Sequence, residues 1–164
     1  MNDTDRKNLW APWRIEYILG PKDGACFLCG RERDSGAKDD FMVVARGERV
    51  FVMLNAFPYN SGHLLVAPYA HVDDIAKLDT DTLNELMAHT VKAKRTLAAL
   101  MRPDGFNIGF NLGAAAGAGL EAHLHQHIVP RWVGDTNFMP VLDDTRVVPQ
   151  ALRDTAELLR SRWV

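Results

Sequence analysis

The chain has 164 residues, enough for one domain that buries its own core without cross-links. Its 19 basic and 21 acidic side chains leave a net charge of −2, which argues against a protein that coats nucleic acid but allows a local cationic pocket. Met1 to Lys7 is polar and charged, not an apolar leader, and no run approaches the ~20 apolar residues of a membrane span. The expectation is a soluble, cytoplasmic protein with neither nucleic acid nor membrane as partner. Both cysteines fall in Cys26-Phe27-Leu28-Cys29, a spacing common in metal sites, with no wider disulfide framework.

Residues 1–25 read as an extension packed on the domain, its aromatic Leu9 to Ile18 stretch broken at Gly20-Pro21. A charged loop follows the cysteine pair, from Arg31 to Asp40. Phe41 to Ala45 and Val50 to Leu54 are β-rich runs on either side of Arg46-Gly47-Glu48-Arg49, a hairpin pattern. Asn55 to Gly62 is a loop, and His63 to Ala67 is a third strand stopped by Pro68. Asp79 to Met101 is the clearest helix. Thr82 and Glu85 form a capping-box pattern near its start, and Leu83, Leu86, Met87, Val91, Leu97 and Met101 make its apolar stripe. Arg102-Pro103-Asp104-Gly105 ends it. Phe106 to Asn111 is a fourth strand, Gly113 to Gly119 a small-residue loop, and the histidine-rich run from Glu121 to Arg131 a fifth strand. A last helix begins near Pro149, within a C-terminal extension over 140–164, and carries Leu152, Ala156 and Leu159 on one side. Successive strands with tight turns and one long helix predict a single α+β domain over 1–164, with a mainly antiparallel five-stranded sheet. A doubly wound parallel sheet would need a crossover helix after most strands.

Three of the six histidines alternate in His123-Leu124-His125-Gln126-His127. In a strand they share one face with Val129, roughly 6 to 7 Å apart, while Leu124 and Ile128 face the core. A neutral imidazole is a competent nucleophile near pH 7, provided that its second nitrogen holds the proton and is anchored by an acceptor. His125, flanked on its own face by His123 and His127, is the natural nucleophile, with His127 a donor to phosphate or leaving oxygen. The blander reading is a polar, solvated strand face. The loop Gly113 to Gly119 leads into this strand, and its small residues let main-chain amides approach phosphate oxygens closely.

The run His123 to Val129 resembles the signature of the histidine triad family, and the likeness extends through Asn55…Gly62-His63-Leu64-Leu65-Val66-Ala67-Pro68 and Asn111. The resemblance implies a homodimeric α+β protein that hydrolyses or transfers nucleoside monophosphate groups. It implies His125 as nucleophile, His127 as phosphate contact, and His63 and Asn111 near the phosphates. It places Asn55 at the ribose and Leu28 and Met53 at the base, while the small-residue loop offers Gly117, Ala118 and Gly119 to the phosphates. Trp10-Ala11-Pro12-Trp13-Arg14 and Pro130 to Met139 are similar to the family's bacterial diadenosine tetraphosphate phosphorylases, so an AMP-containing purine nucleotide is the expected substrate. Two departures stand out. Gln126 replaces the usual apolar spacer, and Ala118-Gly119 stands where many relatives carry a polar pair ending in serine.

Cys26 and Cys29 supply half of a tetrahedral zinc site. Some family members complete such a site with histidines at positions matching His71 and His123, which implies a structural zinc ion. His89 reads as a solvated or helix-packed ring. Two readings compete with nucleotidyl transfer: a metal-dependent hydrolase that uses the alternating histidines as ligands, and a non-catalytic purine nucleotide-binding protein.

Overall fold

A computed structural model describes residues 26–31, 42–116, 118, 120–135 and 151–163. The expectations for residues 1–25, for the loop over 32–40, for Phe41, Gly117, Gly119 and the run over 136–139, and for the start of the last helix near Pro149 lie outside them.

Five strands form one antiparallel sheet: β1 (Val43–Arg46), β2 (Val50–Leu54), β3 (Leu64–Pro68), β4 (Gly105–Phe110) and β5 (Gln126–Arg131). Their spatial order is β1-β2-β3-β5-β4. Helix α1 (Thr80–Met101) crosses β2, β3 and β5, and α2 (Leu152–Ser161) packs against β1. Every residue of β2 and β3 is buried, which is why both read as unbroken apolar runs and not as alternating ones. Arg160 on α2 donates from Nε to the Val43 carbonyl at 2.8 Å, covering the β1 edge. Among the described residues no helix is long and apolar enough to cross a membrane.

Two details of α1 differ from the capping and stripe patterns. Its cap is Asp79, whose carboxylate accepts the Thr82 N–H at 2.7 Å. Glu85 instead reaches across to the β1–β2 turn, accepting the backbone N–H groups of Glu48 (2.7 Å) and Arg49 (3.0 Å). The buried face runs through Thr82, Leu86, Thr90, Ala93 and Leu97, successive steps of three or four residues. Met87 and Val91 fall to one side of that line and are exposed. Arg102 closes the helix in the left-handed region at φ 48°.

Gln126 is explained by the same helix. It is buried in β5 and its side-chain amide meets the Thr90 hydroxyl, which also donates to the Leu86 carbonyl at 2.8 Å. One hydroxyl proton cannot serve two oxygens. The pair is satisfied when the Gln126 amide nitrogen donates to Thr90 Oγ1.

Candidate active site

Strand register assembles the site. His127 in β5 lies opposite Leu65 of β3 and Gly109 of β4. His63 is two residues before Leu65 and Asn111 two after Gly109, so the period-2 alternation of strands carries both to the face of His127. Gly109 leaves open space beside that ring, since a Cβ there would meet nothing within 4 Å. The His63 and His127 ring centroids are 5.2 Å apart, and those of His125 and His127 are 4.9 Å apart, edge to face.

The expected row of three histidines is broken. β5 begins only at Gln126, so His123 and His125 precede the strand and are freed from its alternation. His123 turns to the cysteines, and His125 stays with His127. None of the three rings is a solvated face: His123 is 0 %, His125 8 % and His127 9 % exposed.

Hydrogen bonds define where the protons sit. His125 Nδ1 lies 2.8 Å from the His123 carbonyl, an acceptor only, so Nδ1 carries the proton and Nε2 keeps its lone pair. The Tyr59 backbone N–H donates to His63 Nδ1 at 3.0 Å, so His63 carries its proton on Nε2. That Nε2–H donates to His127 Nδ1 at 3.0 Å. His127 must then hold its own proton on Nε2, 3.4 Å from the Asn111 side-chain amide, which turns its oxygen to receive it. His127 remains neutral well below pH 7. Burial withholds water from an imidazolium there, and charge on neighbouring His125 opposes a second one; together they pull its pKa down to about 4.

Cys26, Cys29, His71 and His123 form a second cluster, with ligand atoms all within 4.8 Å of one another. His123 Nε2–H donates to the Pro68 carbonyl at 2.9 Å, leaving the Nδ1 lone pair 3.2 Å from Cys26 Sγ and 3.6 Å from Cys29 Sγ. His71 Nδ1 lies 3.2 Å from Cys29 Sγ. A tetrahedral S₂N₂ zinc site has sulfur–nitrogen separations of about 3.5 Å. These residues therefore fit and could hold a metal, with the carbonyl of Pro68 fixing the tautomer that a ligand needs. Among the described residues no other such cluster occurs, and the alternating histidines do not form one: His123 joins the cysteines, while His125 and His127 face a carbonyl and His63.

The remaining predicted residues fall in several places. Asn55 is half-buried; its Oδ1 accepts the Phe57 N–H at 2.9 Å, and its Nδ2 lies 3.3 Å from His63 Nδ1. Leu28 and Met53 are both buried in the core cluster. Gly113 adopts φ +76° and opens a short 3₁₀ turn, Ala114–Ala116, before half-buried Ala118. His89 is helix-packed, its Nδ1 donating to the Glu85 carbonyl at 3.1 Å. Tyr59 was not foreseen. Its ring stacks on His127 (5.7 Å, 17°) and leans on His63 (4.7 Å), and no spacing in the loop signals that contact.

Buried imidazoles at the start of an interior strand, beside a Cys/His cluster, define a class that known proteins share. The HIT domain family model matches residues 37–133, and the chain belongs to that family. More particularly, it is 41% identical to the "AP-4-A phosphorylase" of two Mycobacterium tuberculosis strains, over 96% of this chain and 84% of each relative. A Zn-bound histidine triad family protein from Mycobacterium smegmatis superposes with a TM-score of 0.61, at 28% identity over 74% of this chain and 83% of that one. A hypothetical histidine triad nucleotide-binding protein from Sulfolobus tokodaii also gives 0.61, at 26% identity over 74% and 82%.

Proposed function

We propose that the chain is a nucleotide phosphorylase or hydrolase that moves an adenylyl group from a diadenosine polyphosphate through His125. The observation that carries this reading is the pair of tautomers: a bare Nε2 on His125, anchored by the His123 carbonyl, beside a neutral His127. In the first step His125 Nε2 bonds to the innermost phosphorus and the bridging P–O bond breaks, releasing ATP from diadenosine tetraphosphate. In the second, an oxygen of orthophosphate or water bonds to phosphorus and the N–P bond breaks, releasing ADP or AMP. On substrate binding His127 Nε2–H passes from the Asn111 oxygen to a non-bridging oxygen and the Asn111 amide nitrogen meets another, where fixed donors stabilise developing charge. His63 orients His127. Asn55 takes the ribose, Leu28 and Met53 back the base, and main-chain amides of Gly117, Ala118 and Gly119 hold the leaving phosphates. Cys26, Cys29, His71 and His123 bind a structural zinc ion, tying the 26–31 turn to the chain just before β5.

The active form is a homodimer. Asn107, Ile108 and Gly109 on edge strand β4 are exposed, and Met87 and Val91 are exposed on α1. Lys94 Nζ sits 5.7 Å from the Phe106 ring centroid, so the 87–91–94 side of α1 runs beside that edge. An open strand edge beside an apolar helix stripe favours pairing with a second copy.

Incubation with diadenosine tetraphosphate, with and without orthophosphate, tests the chemistry. Phosphorolysis yields ADP plus ATP, and asymmetric hydrolysis yields AMP plus ATP. An acid-labile phosphorus–nitrogen adduct should accumulate on His125 and vanish in His125→Ala. Two ADP as product, or turnover untouched by His125→Ala, would refute attack by this ring. Light scattering reads the dimer, and a monomer at micromolar concentration would count against it.

A further inference from the structure

Just beyond β5, outside the part of the chain that the family model matches, the Asp135 carboxylate gathers four donors among the described residues. Arg131 donates from Nε (2.6 Å) and from its NH2 nitrogen (2.8 Å), the Trp132 N–H donates at 3.0 Å, and Asn60 Nδ2 donates at 2.6 Å. Arg131 is tied in turn to Asn107 Oδ1 on β4 at 2.6 Å. Asn60 is different in kind, because it belongs to the loop before β3. It also donates to the Pro130 carbonyl at 3.1 Å, and its own carbonyl accepts the His63 N–H at 3.2 Å. Its chain neighbour Tyr59 supplies the N–H that meets His63 Nδ1.

We propose that Asn60 and Asp135 form a latch that decides which nitrogen of His63, and through it of His127, carries the proton. They are positioning residues for the phosphoryl chemistry, and this inference rests on the function proposed above. With the latch closed, Tyr59 N–H occupies His63 Nδ1, and His127 presents Nε2–H to the phosphate. With the latch open, the Tyr59 amide withdraws, and His63 holds its proton on Nδ1 once the Asn55 amide, whose Nδ2 lies 3.3 Å from that nitrogen, turns its oxygen to it in place of the Phe57 N–H. As His63 Nδ1 takes a proton from water, the Nε2 proton passes to His127 Nδ1, and His127 gives up its Nε2 proton to water. His127 Nε2 is left as a lone pair aimed at an anion, so a donor becomes a repulsive acceptor. The damage falls on the transition state, where charge on the phosphoryl oxygens is to be met, more than on base and ribose binding. Asp135 can do this without adding charge to the site, because Arg131 neutralises it in a bidentate pair.

The test is Asn60→Ala, read by long-range proton–nitrogen NMR of the imidazoles and by steady-state kinetics on diadenosine tetraphosphate. In the wild-type protein, His63 and His127 should each show a protonated Nε2 and a bare Nδ1. In the variant both should move to a mixture of tautomers, with kcat down about a hundredfold and KM within about threefold. Unchanged tautomers overturn the latch. Changed tautomers with unchanged kcat overturn its catalytic role. The spectra need no substrate, so a wild-type protein inactive on diadenosine tetraphosphate would sink the proposed function and leave the latch to be judged by NMR. Should Asn60→Ala not fold, the wild-type protein decides: a through-hydrogen-bond coupling between the Tyr59 amide nitrogen and His63 Nδ1 is expected, and its absence overturns the relay.

Discussion

Gly62 stands immediately before His63 at φ +76°, and alanine there should damage both stability and site. A Cβ would lie 2.6 Å from Met101 Sδ and 2.9 Å from Leu97 Cδ2. The thioether of Met101 can swing aside. Leu97 is fully buried beneath the sheet and cannot move without disturbing the core. The left-handed torsion costs an alanine about 1–2 kcal/mol, and forcing a methyl group into a packed core costs about 1–3 kcal/mol more. Gly62→Ala should therefore lose about 2–5 kcal/mol in all. The molecule carries its own control, because Gly113 has the same φ of +76° with nothing within 4 Å of a Cβ. Urea denaturation of Gly62→Ala and Gly113→Ala, with m unchanged, separates the two contributions. The difference between them should be the packing part, about 1–3 kcal/mol. Equal losses would refute the claim that Leu97 is immovable. The displaced main chain also carries His63, so kcat on diadenosine tetraphosphate should fall in Gly62→Ala even at temperatures where the protein stays folded.

Burial of neutral His127, with its pKa held at about 4 against an ordinary 6.5, is a stability effect that depends on pH. The folded value lies below the unfolded one, so the contribution is complete above pH 6.5 and is lost as pH falls towards 4. It amounts to at most about 3 kcal/mol; wild type and His127→Gln should converge in urea stability by that much between pH 7 and 4, and parallel curves would contradict it. Thr90→Val deprives buried Gln126 of its partner and should cost about 1–3 kcal/mol, whereas Thr90→Val with Gln126→Leu should be close to neutral. Additive losses in that cycle would show that the two side chains do not depend on each other. Chelation at neutral pH should remove about one zinc ion per chain and lower the melting temperature, with zinc restoring it. A melting temperature indifferent to chelator would remove the metal from the fold's support.

Much of the architecture was legible in local pattern. Unbroken apolar runs at 50–54 and 64–67, a Pro68 stop and a helix ended by Arg102-Pro103 required only nearest-neighbour chemistry, and these two strands and this helix lie within a residue of their expected places. The cysteine spacing and the alternating histidines likewise announced two kinds of site. What local pattern could not decide was how the histidines divide between them. Strand periodicity holds only where a partner strand enforces it, and β5 is paired only from Gln126, so His123 was released to the cysteines across a separation of 94 residues. The capping box failed for a similar reason: Asp79 reached the helix N-terminus first, and Glu85 found stronger use on a turn 36 residues away. Proton positions on His63 and His127 belong wholly to the tertiary structure. An imidazole takes its tautomer from whichever donor or acceptor meets each nitrogen, and here those partners are the Tyr59 main-chain amide for His63 and His63 itself for His127.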